Sequence, residues 1–180
     1  MENLDQSALV LELATSLKEN GSWAGETHLQ KAAYFLKSLL KVPLEVEFIL
    51  YKHGPFSFEL RELLTEMEAQ GFLNWKPMPP YGPSIESGEL GKALRAGFDT
   101  LVEKYRDQIN FVSHQLGSKN VAELERLATA LYVTKEGYSG SSRVGRIRQL
   151  KPHVEVSQAE RAVKDYDEIA ALASSSHLIP

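Results

Sequence analysis

Residues 48–75 are FILYKHGPFSFELRELLTEMEAQGFLNW, and this stretch decides the fold that the sequence predicts. Alternating apolar residues at its start favour a short strand, and Gly54-Pro55 forces a corner because proline fixes its φ angle. Ser57 can cap the start of a helix that Gly71 ends, and a second strand follows. A strand, a corner, a helix and a further strand in this order are typical of a winged helix.

The helix after the corner has one apolar face, whose residues fall within an arc of roughly 100° and should point into the core. These residues are Phe56, Leu60, Leu63, Leu64 and Met67.

Two helices are predicted before this stretch. Asp5 begins the first, which ends near residues 20–21, and Thr27 begins the second through a capping box with Gln30. The second helix has a broad apolar face and is expected to be central to the core. Residues 44–51 then alternate between apolar and polar, which predicts a half-buried strand.

Two short strands are predicted to form a wing after the winged-helix stretch. Prolines exclude a regular strand or helix over residues 77–83, and residues 84–86 return antiparallel to residues 72–76. The proline-rich tip between these strands should be stiff.

The remaining half of the chain is predicted to be helical. Its elements are a long helix over 88–117 with a break near 106–108, a helix begun by a capping box of Asn120 and Glu123 and ended at Gly137, a helix over 143–150, a last helix begun by Ser157 and Glu160, and a frayed tail over 174–180.

The predicted fold class is therefore mainly α, of the α+β type: a winged-helix-like domain with a small β wing and a C-terminal helical extension. Residues 1–90 form the winged-helix-like part. Residues 91–180 form the helical extension, which packs on it within one structural domain.

Composition narrows the classes of function. The 180 residues include no cysteine, which excludes disulfides, a thiol nucleophile and a thiolate zinc site. No long apolar run or leader segment is present, so we expect a cytoplasmic, prokaryotic protein without a membrane span. The net charge is -4, and residues 1–90 carry seven Lys and Arg against thirteen Asp and Glu. The winged-helix-like half is the acidic half.

No constellation predicts an enzyme or a metal site. Each of the five histidines lacks a second ligand type at helical spacing, and Asp165 with Glu168 forms an ordinary solvated helix edge. Gly88-Glu89-Leu90-Gly91-Lys92 lacks the glycine spacing and the hydroxyl of a phosphate loop. We therefore expect a non-enzymatic protein with no cofactor, no metal and no catalytic residue. The five histidines that lack a second ligand are His28, His53, His114, His153 and His177.

The helix that would enter a DNA groove is acidic, with four glutamates against Arg61 between Phe58 and Ala69. Carboxylates facing a polyanion weaken binding, so the expected partner is a protein, and the chain is expected to be a monomer or a homodimer. Residues of the helix's outer face and of the wing form an apolar, acid-rimmed docking patch in this hypothesis, unless Phe58 packs on the first helix and Trp75 on the base of the wing. The hypothesised contact residues are Phe58, Glu62, Trp75, Met78 and Tyr81.

A basic segment supports an alternative function, a DNA-binding transcriptional regulator. No acidic residue lies between Arg143 and His153. The segment suits phosphates or an acidic partner helix, and it also suits an ordinary solvated basic face. The candidate nucleic-acid-binding residues are Arg143, Arg146, Arg148 and Lys151.

Several motifs carry a family resemblance: LQKAAYFL at 29–36, GPFSxEL at 54–60, GFL at 71–73, LxxLATxxY at 124–132 and LKP at 150–152. With these motifs the chain resembles the uncharacterised YwgA-like proteins, a winged-helix family. In the first two motifs it is more distantly similar to the Panacea (SocA-like) antitoxin domain. The second resemblance implies an antitoxin-like regulatory protein that neutralises a toxin through protein contact.

Overall fold

The computed structural model describes residues 2–179, with side chains for residues 4–179. The described chain is mainly helical, with two small antiparallel sheets, and belongs to the α+β class. In chain order its elements are α1 (Glu2–Glu19), α2 (Glu26–Ser38), β1 (Ile49–Tyr51), β2 (Gly54–Phe56), α3 (Phe58–Ala69), β3 (Leu73–Met78), β4 (Tyr81–Ser87), α4 (Glu89–Gly97), α5 (Asp99–Leu116), α6 (Val121–Lys135), α7 (Ser142–Leu150) and α8 (Val156–Ser175).

Helix α2 lies in the middle of the core, as its broad apolar face predicts. It packs against α1, α5 and α6 as well as strand β2. Its apolar side chains are buried, and so are the polar side chains of Gln30 and Lys31. Buried polar groups need hydrogen-bond partners. The partners of these two side chains lie at the junction of β2 and α3.

Three helices, α1, α2 and α8, start differently from their predictions. Helix α1 begins at Glu2, before Asp5. The predicted capping box of Thr27 and Gln30 is wrong, because Gly25 is the N-cap of α2 and provides no side-chain bond.

Helix α8 likewise begins earlier than predicted. Its capping box is formed by Glu155 and Gln158, not by Ser157 and Glu160. The capping box of Asn120 and Glu123 at the start of α6 is confirmed.

Residues 44–51 alternate in burial as predicted, but only Ile49–Tyr51 is a strand. It pairs antiparallel with Gly54–Phe56, with Ile49 opposite Phe56 and Tyr51 opposite Gly54. Gly54 has a φ of +89°, a conformation that glycine adopts without strain. The predicted corner is therefore the second strand of a hairpin, and Phe56 lies in this strand instead of on the inward face of α3.

Helix α3 is confirmed in its start, its end and its buried face. The Ser57 hydroxyl accepts a hydrogen bond from the Leu60 amide at 3.1 Å, and Gly71 follows the helix with a φ of +75°. The buried residues of the helix are Leu60, Leu63, Leu64 and Met67.

The β3–β4 hairpin is longer than the predicted wing. Leu73 lies opposite Ser87 and Trp75 opposite Ile85, and the turn is confined to Pro79-Pro80. Prolines within the strands are tolerated because each strand of a two-stranded ribbon has a free edge that needs no amide donor.

The helical half differs from its prediction at two further places. The break in the long helix lies at Gly97-Phe98, between α4 and α5, and α5 is continuous through residues 106–108. The predicted frayed tail is wrong for the described residues 174–179, because α8 extends to Ser175 and Leu178 and Ile179 pack partly against the core. Pro180 lies outside the described residues.

Helix α1 is joined to α4 and α5 by a buried carboxylate. Glu12 is 6% exposed and pairs with Arg95 of α4 and with Arg106 of α5, the latter at 3.3 Å. Two arginines compensate the desolvation of one carboxylate, so the contact fixes the three helices relative to one another.

Candidate functional site

Two buried side chains of α2 hold the junction between β2 and α3. The Gln30 amide nitrogen donates to the Ser57 carbonyl at 2.9 Å, and the Ser57 amide donates to the Gln30 side-chain oxygen at 2.9 Å. The Lys31 ammonium donates to the Pro55 carbonyl at 2.8 Å. The LQK and GPFS motifs therefore contact each other directly. This contact fixes the positions from which Phe56 and Phe58 project.

The turn of the β1–β2 hairpin is also held by α6 and by the residue that follows α7. The Lys151 ammonium donates to the carbonyls of Tyr51 and Lys52. His53 lies 3.2 Å from a carboxylate oxygen of Glu125. With bonds to α2, to α6 and to Lys151, the hairpin is a rigid support for the side chains that it carries.

Three aromatic rings cluster on the outer side of this hairpin and the start of α3. Ring centroids of Tyr51 and Phe58 are 5.4 Å apart, those of Phe56 and Phe58 5.1 Å, and those of Tyr51 and Phe56 5.9 Å. Tyr51 and Phe58 are 42% and 43% exposed, and Ile49 beside them is 51% exposed. We call Ile49, Tyr51, Phe56 and Phe58 the aromatic surface.

The aromatic surface is acidic on its α3 side, whereas on the hairpin side the Lys52 ammonium lies over the Tyr51 ring at 5.9 Å from the centroid. Glu59 and Glu62 of α3 are exposed. Hydrogen bonds from the Glu59 backbone amide and the Ser57 hydroxyl lower the pKa of the Glu59 carboxyl, so it is ionised at neutral pH. The Arg61 guanidinium also lies at this surface, over the Phe56 ring at 4.7 Å from its centroid, and its charge is paired with Glu26 at 2.8 Å.

The five hypothesised contact residues lie in two groups. Phe58 and Glu62 are on α3 at the aromatic surface, whereas Trp75, Met78 and Tyr81 are on the β3–β4 hairpin. Tyr81 is 63% exposed and stacks on Trp23 with a centroid distance of 5.3 Å, and Trp75 is half-buried. Over residues 2–179, no ring contact links the two groups.

Much of the basic segment is occupied by contacts within the chain. Arg143 forms two hydrogen bonds to Asp167, at 2.6 and 2.7 Å, and its side chain is 9% exposed. Arg146 forms two to Glu136, both at 3.0 Å. Lys151 is buried against the β1–β2 turn. The acidic partners lie outside the segment, 10 residues from Arg146 and 24 residues from Arg143, and the charges within the segment therefore gave no sign of these pairs.

No family model matches the chain, and no curated protein matches it. Within residues 2–179, none of the helices combines the length and the apolar character that crossing a bilayer requires.

Sequence reasoning found Phe58 but missed its ring partners. A signal for Ile49 and Tyr51 was present, since the alternation of residues 44–51 places both on the outward side. Phe56 gave no such signal, because its spacing from the apolar residues of α3 predicted that it lies on the inward face of that helix. The pairing of Trp23 with Tyr81 joins residues 58 positions apart and has no local signal.

Proposed function

We propose that this protein is a non-enzymatic interaction module that captures a partner protein through the aromatic surface. The observation that carries the proposal is the cluster of Tyr51, Phe56 and Phe58, in which Tyr51 and Phe58 are exposed and Phe56 is half-buried, on a hairpin that Lys31 and Lys151 bond to the rest of the chain. Rigid aromatic side chains bury a large area on binding and lose little conformational entropy, which is why they dominate protein interfaces.

The charges around the surface define the partner's chemistry. Glu59 and Glu62 are exposed beside the rings, while Arg61 is engaged by Glu26. A partner segment with apolar side chains flanked by lysine or arginine would complement the α3 side of this surface, and an acidic segment would be repelled there. Met78 and Tyr81 at the tip of the β3–β4 hairpin stay predicted contacts.

In this proposal the fold is a winged helix with a C-terminal helical extension. Helix α3 takes the place of the recognition helix, and the β3–β4 hairpin is the wing. The acidic α3 favours a protein partner over DNA in that position. The resemblance to the Panacea domain supports an antitoxin-like role, in which the captured partner is a toxin.

A peptide-display selection tests the function. Peptides are selected on the wild-type protein and counter-selected on Phe58→Ala. We expect the enriched peptides to combine apolar residues with Lys or Arg, and to bind Phe58→Ala and Tyr51→Ala at least about 10-fold more weakly than the wild type.

Leu172→Ala is the matched control, because Leu172 is 49% exposed on α8. It should bind the selected peptides as the wild type does, and all three variants should keep the wild-type unfolding midpoint. Peptides rich in Asp or Glu, or equal binding to Phe58→Ala, would overturn the proposal.

A further inference from the structure

A cleft of about 570 Å³ lies between the start of α2 and the β3–β4 hairpin. This volume is within the range of small-molecule sites, about 300–1,000 Å³. One wall is Trp23 with residues 25–28, and the other includes Trp75 and Gly82-Pro83. The aromatic surface contributes no residue to its lining.

The start of α2 provides hydrogen-bond donors at the cleft wall. The first amides of a helix have no intrahelical acceptor, and Gly25 has no side chain to cap them. In the described part of the chain, no hydrogen bond occupies the amides of Glu26, Thr27 and His28. Such amides, together with the helix dipole, favour an anionic group.

His28 supplies an unpaired acceptor in the same wall. His28 is 1% exposed. Its Nε2 atom lies 2.8 Å from the Lys119 carbonyl oxygen, which can only accept a hydrogen bond, so Nε2 carries the ring proton and donates it. Nδ1 is then an acceptor, and it is buried without a hydrogen-bond partner among the described residues. Burial lowers the pKa of His28, which keeps the ring neutral at pH 7. A buried acceptor without a partner costs free energy, and a donor on a ligand bound in this cleft would recover that cost.

The two tryptophans provide an apolar wall beside these polar groups. Trp23 is positioned by Tyr81, which stacks on it, and by His28, whose ring meets it edge-on at 4.8 Å. It also lies against Gly25, where a Cβ would come within 2.5 Å of the indole nitrogen. Indole surfaces favour planar rings, which stack on them.

We propose that this cleft binds a small ligand in which a planar aromatic ring carries an anionic group. The anion lies at the free amides of α2, the ring lies against the tryptophans, and an N–H or O–H of the ligand donates to His28 Nδ1. A cation held between the indoles fits less well, because the helix dipole repels it and Arg61 occupies the Glu26 carboxylate. The site extends beyond the proposed partner capture and does not depend on it.

Tryptophan fluorescence tests the proposal, because the chain has two tryptophans and both line the cleft. The probe is adenosine 5′-monophosphate, titrated beside adenosine, inorganic phosphate and choline. We expect a saturable change with the mononucleotide and binding at least about 10-fold weaker for the other three compounds. No saturable change with the mononucleotide, equal binding of adenosine, or preferential binding of choline would each overturn the proposal.

Glu26→Gln tests whether the anionic group of the ligand binds beside Glu26 at the start of α2. The substitution removes a carboxylate from the proposed anion site at constant size, so the affinity for the mononucleotide should rise about 3-fold, with no rise for adenosine. An unchanged or lower affinity for the mononucleotide would overturn the assignment.

Gly25→Ala tests the contribution of Trp23 to the cleft. Mononucleotide binding to this variant is measured by calorimetry, because a displaced indole would itself change the fluorescence. Its Cβ should displace Trp23 and weaken mononucleotide binding at least about 10-fold. Gly145→Ala, where a Cβ meets open space, is the matched control and should bind as the wild type does. Wild-type affinity in Gly25→Ala would contradict the proposal.

Discussion

Gln30 and Ser57 exchange two hydrogen bonds, each 2.9 Å long, although 27 residues separate them in the chain. Both residues are 0% exposed. A glutamine side chain has both an NH2 group that donates and a carbonyl oxygen that accepts, and here they bond to the carbonyl and the amide of Ser57, the residue that also caps α3. The exchange links the middle of the core to the start of the helix that carries Phe58.

Gln30→Ala should therefore lower the free energy of unfolding by about 2 kcal/mol, because it leaves the buried Ser57 amide without a partner, whereas the Ser57 carbonyl still accepts from the Arg61 amide at 3.3 Å. Urea unfolding measures the loss. Gln149→Ala, on the exposed side of α7, is the control and should stay within about 0.5 kcal/mol of the wild type. A loss below about 1 kcal/mol in Gln30→Ala would mean that water replaces the amide.

The sequence was sufficient for features encoded locally. Helix α3 was predictable because its signals are local: Ser57 caps its start, Gly71 follows its end, and its apolar residues have helical spacing. The role of Gln30 was not predictable. Its spacing from Thr27 fits a capping box, but its side chain is buried and bonds to Ser57, which is far along the chain. The candidate site divides in the same way: the exposed position of Phe58 follows from helical periodicity, whereas its contact with Tyr51 depends on how a hairpin packs beside the helix.

Lys31 should make stability depend on pH above neutrality. Burial lowers its pKa to about 8, whereas an unfolded lysine has a pKa of about 10.4. Between these values the unfolded chain binds more protons than the folded one, so the free energy of unfolding rises with pH, and this gain is lost as the pH falls to 8. A neutral amine still donates to the Pro55 carbonyl.

Lys31→Met removes this titration. Between pH 8 and pH 9.5, the stability difference between wild type and variant should shift by about 1.6 kcal/mol in favour of the wild type, as urea unfolding at the two pH values measures. Lys164→Met, at an exposed position on α8, should show no such shift. A constant difference for Lys31→Met would show that Lys31 stays charged when buried.

Gly54→Ala should destabilise the hairpin that carries the aromatic surface. A residue with a Cβ is strained at a φ of +89°, and the new carbon would lie 3.3 Å from the Thr129 hydroxyl and 3.4 Å from the Glu125 carbonyl. We expect a loss of about 2 kcal/mol in thermal or urea unfolding. The same substitution at Gly145, within α7 and in open space, should raise stability by up to about 1 kcal/mol. Equal effects at both positions would contradict the assigned turn.

Arg143 should act as a structural residue. Its side chain is 9% exposed and bonds to Asp167, Gly140 and Thr134, so Arg143→Ala should lower the free energy of unfolding by about 2 kcal/mol, a value moderated because Asp167 is half exposed. Arg148→Ala, whose side chain is exposed, should change it by less than about 0.5 kcal/mol. Equal losses in the two variants would contradict a special role for the Arg143 contact.

Duplex DNA provides the test of the alternative function. Non-specific affinity comes from cations that replace the counterions of phosphates, and here Arg143 and Arg146 are each bonded to a carboxylate while Lys151 is buried. We therefore expect no measurable binding of a random duplex at about 50 mM salt, as followed by fluorescence anisotropy. Binding that weakens with added salt and is lost in Arg146→Ala and Arg148→Ala would reverse this conclusion, because ion pairs that open for phosphate would then be part of a nucleic-acid interface.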